Sequence, residues 1–263
     1  MSVYLDDRLL TDTVNDVFTV DGALAPAVEL RSTQPVANAP GLFGTGVTIN
    51  PRTISVGLDV WPSTTVDRVT VLDTLERRVS GLRLFRMTDA PDRELYVTLT
   101  DVKVEFYHIA IPRCFVALQF TAVDPYRWDR EPRLYGLSTA RASLPLGTAT
   151  SAPEITLNGA SPSVENPVVI VRNAAGTETQ RLTLTGTLAT NDALVIDCAR
   201  QQIDRYVAGV LQTGTSAGNA WLTSGVFPLL DPADSIEGSG VTMELSATSG
   251  TPTGLVFYKR RWA

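Results

Sequence analysis

Gly214-Thr215-Ser216-Ala217-Gly218 has the G-x-S-x-G spacing that can lift a nucleophilic serine onto a tight strand-to-helix turn. That chemistry needs a histidine later in the chain and a helix after the second glycine. The one histidine, His108, comes earlier, and no helical periodicity follows Gly218. The motif therefore reads as a hairpin loop of small residues. His108 follows Phe106 and Tyr107 at the end of a strand pattern. As a general base it would need a nucleophile or water and an orienting group; a strand-end or interface position asks for less. Gly41-Leu42-Phe43-Gly44-Thr45-Gly46 lacks the Lys-Ser/Thr of a phosphate loop and starts no helix, so it reads as a tight turn with Phe43 available to a partner.

Carboxylates could pair for glycoside hydrolysis at Asp101 and Glu105, or at Asp197 and Asp204, but neither pair stands in a distinctive motif. Asp6, Asp7, Asp12, Asp16 and Asp21 lack the order of a calcium loop and read as a solvated acidic segment. Cys114 and Cys198 are far apart, without metal-ligand spacing, and read as small buried hydrophobes made in a reducing compartment. Trp61, Trp128, Trp221 and Trp262 are dispersed and form no sugar-stacking platform in the sequence. No catalytic, cofactor-binding or metal-ligating residue is assigned, and no cofactor or enzymatic activity is expected.

Composition narrows the function classes. The net charge is −6, which argues against a nucleic-acid binder because such proteins carry a basic face. Of the basic residues only Lys103 and Lys259 are lysines, so any basic function rests on arginine. No apolar run is long enough to span a membrane. The opening MSVYLDDRLL carries Asp6 and Asp7 where a secretory leader would carry positive charge, so no leader is expected.

The elements that must position these residues are mostly strands. Valine and threonine together number 60 of 263 residues, and both favour a pleated surface. Ile54, Val56, Leu58 and Val60 alternate, as do Val116, Leu118, Phe120 and Ala122, so each set predicts one buried face. Leu95, Val97 and Leu99 alternate, then Val102, Val104 and Phe106 alternate in the opposite phase, which predicts a bulge at Thr100–Asp101. Further strands are expected at 155–157, 168–171, 182–184, 194–196 and 241–245. One helix is predicted over about 64–79, capped by Ser63, with Val66, Val69, Leu72, Leu75 and Val79 on its buried stripe and Gly81 as its stop. A mainly all-β chain of two β-sandwich domains is expected. The first, 1–136, carries the helix on a sheet; the stretch 137–150 is a linker; the second domain is 151–263.

The run Val116-Ala-Leu-Gln-Phe-Thr-Ala-Val-Asp-Pro-Tyr-Arg-Trp128 resembles the end of the N-terminal domain of phage distal tail (Dit) proteins, from phages with long, flexible tails. The order before it is similar too: strand 54–60, helix 64–79, strand 82–87, a turn at 90–93 and a long hairpin over 95–123. In the second half, NPVVIVRNAAG, the stretch RLTLTGTLATNDALVIDCARQQIDRYVAG with its hairpin Ala193–Asp197 to Ala199–Asp204, and the terminal LVFYKRRW resemble that family's C-terminal galectin-like sandwich. Leu230-Asp231-Pro232-Ala233-Asp234-Ser235-Ile236 stands where the family usually has Leu-x-Pro-Gly-x-Asn-x-Ile.

The resemblance implies a hexameric ring at the virion tail tip. The ring would be built from N-terminal domains, with galectin-like domains projecting from it. Its implied partners are the tail-tube protein, the tail-hub protein and receptor-binding or fibre proteins, with no cofactor, no sequence-specific nucleic acid, and DNA passing an acidic lumen. Synthesis in the host cytoplasm follows. The alternative function is a carbohydrate-binding adhesin for host recognition, for which the second half offers few aromatics, Tyr206, Trp221, Phe227, Phe257, Tyr258 and Trp262; a hydrolase is the third.

Overall fold

The computed structural model describes residues 2–10, 15–21, 28–30, 33–35, 42–44, 47–49, 51–107, 111–213, 218–235 and 240–262. Strands dominate, and the chain forms two compact units, Met1–Trp128 and Asp129–Trp262.

In the first unit, β1 (Val3–Leu5), β2 (Arg8–Leu9) and β3 (Asn15–Asp21) precede four short strands, β4 (Val28–Leu30), β5 (Thr33–Pro35), β6 (Leu42–Gly44) and β7 (Val47–Ile49). Then come β8 (Arg52–Val60), the helix α1 (Thr65–Val79), β9 (Leu82–Met87), β10 (Ala90–Phe106) and β11 (Cys114–Ala122). The main sheet runs β2-β1-β9-β10-β11-β8-β3. Its pairing is antiparallel throughout. The alternation read from the sequence is the burial pattern itself. Ile54, Val56, Leu58 and Val60 of β8 are buried with Val116, Leu118 and Phe120 of β11, while Thr53, Ser55 and Gln119 face outward.

The phase change in β10 is a bulge at the predicted place. Leu99 pairs with Phe120 and Asp101 with Gln119, so Thr100 is the extra residue. Its hydroxyl donates to the Gln119 carbonyl at 3.0 Å. The inserted residue reverses the phase, so Leu95 and Val97 before it and Val104 after it all reach one core. The turn expected at 90–93 is instead a tight one at Thr88–Asp89. Pro91 has no N–H to give a ladder, and it falls in a second irregularity, between Ala90 and Leu95.

The helix has the expected length but a different cap and a rotated stripe. Thr64, not Ser63, is the N-cap; its hydroxyl oxygen accepts the Asp67 N–H at 3.1 Å. Ser80 closes the other end, and Gly81 follows with φ +83°. Leu75 and Val79 are buried and Val71 and Leu72 half-buried, whereas Val69 is 59% exposed.

In the second unit two antiparallel sheets enclose one core. After β12 (Arg127–Asp129), at the junction of the units, come β13 (Arg133–Leu137), β14 (Ala142–Leu144), β15 (Glu154–Asn158), β16 (Val164–Glu165), β17 (Val168–Arg172), β18 (Glu178–Leu184) and β19 (Thr187–Leu188). The hairpin β20 (Ala193–Asp197) and β21 (Gln202–Val207) follows, then β22 (Val210–Leu211), β23 (Leu222–Gly225), β24 (Val241–Ser246) and β25 (Thr253–Tyr258). One sheet is β13-β25-β15-β20-β21-β22 and the other β14-β24-β17-β18-β23. Ile155, Leu194 and Val256 from the first meet Val169, Leu182 and Met243 from the second. Each such buried side chain contributes about 1.5–3 kcal/mol relative to exposure.

The unit division falls before the stretch assigned by sequence to the first domain's end and the linker. β13 pairs with β25 and β14 with β24, so residues 133–137 and 142–144 are sheet strands of the second unit. The small residues and prolines of SLPLGTATSAP, over 143–153, marked 137–150 as a linker. Strand pairing with partners more than 90 residues away was invisible to composition.

Candidate functional site

The described candidates from the sequence make local hydrogen bonds and ion pairs. His108 and Ser216 lie outside the described residues, as do Gly41, Thr45, Gly46 and Asp12. Phe43 lies on β6, opposite Gln34 of β5. Gly218 opens a short 3-10 turn to Trp221. Asp6 and Asp7 form the β1–β2 turn with φ 49° and 63°. Asp6 accepts from the Leu84 N–H and from Arg83, each at 2.9 Å, and Asp7 pairs with Arg86 at 3.0 Å. Asp101 accepts the Val102 N–H, and Glu105 pairs with exposed Lys103. Asp197 accepts the Arg200 N–H in the β20–β21 turn, and Asp204 accepts from Gln202. Both cysteines are buried thiols. Among the described residues no group of three or more His, Cys, Asp or Glu is placed to hold a metal ion, and no helix is long and apolar enough to cross a membrane.

Trp221, one of the aromatics the adhesin reading could draw on, is 7% exposed and belongs to the second core. It packs so close to Gly186 that a Cβ there would meet its ring at 2.7 Å. The sequence could not show this, because burial of one tryptophan depends on strands brought from far along the chain.

The first unit presents an exposed surface of aromatic and arginine side chains. The outer part of β10 runs on past β9, whose last pairing is Leu82 with Thr98, while Asp101–Phe106 continue to pair with β11. At the end of this hairpin large apolar side chains stay exposed: Trp61 at 52%, Phe106 at 53%, Tyr107 at 56%, with Ile111 beside them. Arginines hold them. The Arg113 guanidinium lies 3.6 Å from the Trp61 ring centre and 4.8 Å from that of Tyr107, and it is forked onto the Asp59 carboxylate. Arg68, from α1, lies 4.4 Å from the Phe106 ring centre and donates to the Ile111 carbonyl at 3.2 Å. The Arg113 hydrogen bond holds the Asp59 carboxyl below its ordinary value, and Asp59 in turn raises Arg113. Exposed aromatics pinned by arginine are the residue types that anchor protein interfaces.

Between α1 and the sheet lies an apolar groove of about 230 Å³. Leu72, Leu75 and Val79 form one wall and Val102, Val104 and Val116 the other, with Asp73 and Glu76 at the rim. The sequence predicted the helix and the hairpin. It held no signal for which of their apolar residues the fold leaves uncovered.

No protein-family model matches the sequence, and no curated protein is similar to it at a significant level. Among solved structures, the Dit protein (gp 19.1) of phage SPP1 superimposes with a TM-score of 0.75 at 17% identity, over 100% of this chain and 99% of that one. This chain has the Dit fold. The SPP1 Dit structure is described as a paradigm of the hub adsorption apparatus in phages that infect Gram-positive bacteria. The phage P2 baseplate in its calcium-activated conformation is a more distant likeness, with a TM-score of 0.48 at 10% identity over 98% of this chain and 97% of that one.

Proposed function

We propose that this chain is a structural subunit of a phage tail tip, acting by shape and not by catalysis. Six copies would form a ring through their first units, joining the tail tube on one side to the tail hub on the other and anchoring fibre or receptor-binding proteins. The second unit is read as the galectin-like domain that projects from the ring. The protein would be made in the host cytoplasm and reside in the virion. The Dit fold, shared over the full length of both chains, carries this reading.

Two physical features support it. The stretch of β10 beyond its last pairing with β9 and the aromatic–arginine patch offer backbone and side-chain anchors for a neighbour. One heterologous contact, repeated about an axis, is enough to close a ring. A net charge of −6 per copy also suits a lumen through which DNA must pass without sticking.

Native mass spectrometry and negative-stain imaging of the purified chain test the reading. The expected result is a closed ring with a central hole that binds tail-tube and hub proteins. A monomer at high concentration that ignores both partners overturns it.

A further inference from the structure

The two flanks of α1 carry opposite chemistry. Along the flank away from the groove lies a basin of about 490 Å³, lined by Leu5, Asp6, Arg8, Thr74, Arg77, Arg78 and Arg83. Four guanidinium groups face one carboxylate there. That carboxylate is already engaged: Asp6 accepts from Arg83 and from the Leu84 N–H. Arg83 also donates to the Arg77 carbonyl at 3.3 Å, which fixes its fork at the end of the helix. Arg8 and Arg77 have no ion-pair partner among the described residues. The basin is thus a local excess of positive charge on a chain whose net charge is −6.

On the groove flank the sign reverses. Asp73 and Glu76 rim the groove, and neither has an ion-pair partner among the described residues. Leu72, Leu75, Glu76 and Val79 of the helix turn toward the groove and Thr74 and Arg78 toward the basin, while Asp73 and Arg77, four residues apart, lie side by side on the ridge between the two. Unpaired arginine on one flank and unpaired carboxylate beside an apolar groove on the other are the two halves of a head-to-tail contact.

We propose that the arginine basin of one copy receives Asp73 and Glu76 of the next copy, closing the groove between them. This rests on the ring-forming reading and names the contact that builds the ring. Copies of like net charge repel at a distance, so a ring needs local complementary pairing at each junction. Arginine suits the task because its planar fork matches a carboxylate in two hydrogen bonds. The contact is heterologous, since basin and rim are different surfaces, and such a contact repeats around an axis. An extended polyanion such as DNA fits less well: it asks for a stripe of basic residues, and the four arginines are gathered in one hollow.

The test is a charge swap in the full-length chain, read by sedimentation and native mass spectrometry at low and high salt, with circular dichroism to confirm folding. The variants are Arg8→Glu with Arg77→Glu, Asp73→Arg with Glu76→Arg, and all four together. The expected result is salt-sensitive assembly of the unaltered chain, weakened about tenfold or more by either pair and regained by the fourfold swap. Assembly that is unchanged in both pair variants, or that the fourfold swap leaves as weak as the pairs, overturns the contact while the ring reading stands. A chain that stays monomeric removes the ring reading and this contact with it. A labelled DNA duplex that binds the unaltered chain and is released by the Arg8 and Arg77 changes, with assembly unaffected, assigns the basin to nucleic acid and also overturns the proposal.

Discussion

Arg113 lays its guanidinium over the ring of Trp61, 3.6 Å from the ring centre, while the same group is forked onto Asp59. One arginine thereby fixes an exposed aromatic at the tip of the first unit. Holding that ring in place before a partner arrives lowers the ordering cost of binding.

The pair carries a pH signature. Asp59 has its carboxyl below the ordinary 3.8 because Arg113 hydrogen-bonds the charged form. A folded-state value below the unfolded one contributes stability above 3.8, lost as pH falls through the folded value. Asp59→Asn is expected to be less stable than the unaltered chain near neutrality, and its stability should fall less steeply on acidification. Urea midpoints from roughly pH 6 down to pH 2 check this. Parallel acid limbs in the two proteins would refute it.

A second carboxylate organises the other unit. Asp129 is 4% exposed and accepts from Arg260 at 2.6 Å and from the Trp262 indole N–H at 2.9 Å. Arg133 approaches it at 3.5 Å. Removing it strands a largely buried guanidinium and an indole donor, so Asp129→Ala should cost about 3 kcal/mol in the second unit. Asp129→Asn, which keeps an acceptor, should cost less. Denaturant unfolding followed by tryptophan fluorescence is the measurement, and equal losses in the two variants would overturn the expected order by showing that the retained acceptor is worth nothing without the charge.

The bulge in β10 makes a prediction of its own. Deleting Thr100 leaves Leu99, Asp101 and Val102 in simple alternation, so the apolar face is preserved through Phe106. The shortened strand should fold with stability within about 1–2 kcal/mol of the original, because only the bulged residue and its bond to Gln119 are lost. What should change is the direction of the outer strand, since bulges bend and twist. Thermal unfolding and the assembly assay together give the answer: lost folding, or unaltered assembly, would count against it.

The cysteines should be silent in the native protein. Burial pushes the Cys198 thiol up to about 12, and Cys114 is also raised by burial. A maleimide or disulfide reagent near pH 8 should label neither until denaturant is added. Fast labelling of Cys198 in the folded chain would mean that the second core opens locally.

The amino-acid sequence by itself determined most of the elements. Alternation of Ile54 through Val60 is a local property, and so is the recurrence that marks residues 65–79 as a helix. Even the bulge was legible, because a reversed phase across Thr100 can be read without knowing the partner strand. The tertiary structure alone decided which of these residues face solvent. Val69 lies on the expected stripe yet is exposed, because the sheet beneath α1 meets Leu75 and Val79 instead. Thr64 displaced Ser63 as the cap by the backbone angle at which the chain enters the helix. Residues 133–137 and 142–144 became strands because distant β24 and β25 offered them edges. Trp221 is covered while Trp61 is not, and the arginines of one helix flank meet those of β2 and β9 in one basin. Periodicity records the torsion preferences of neighbours along the chain. Exposure, edge pairing and charge clustering depend on contacts between segments far apart in sequence, which only packing sets.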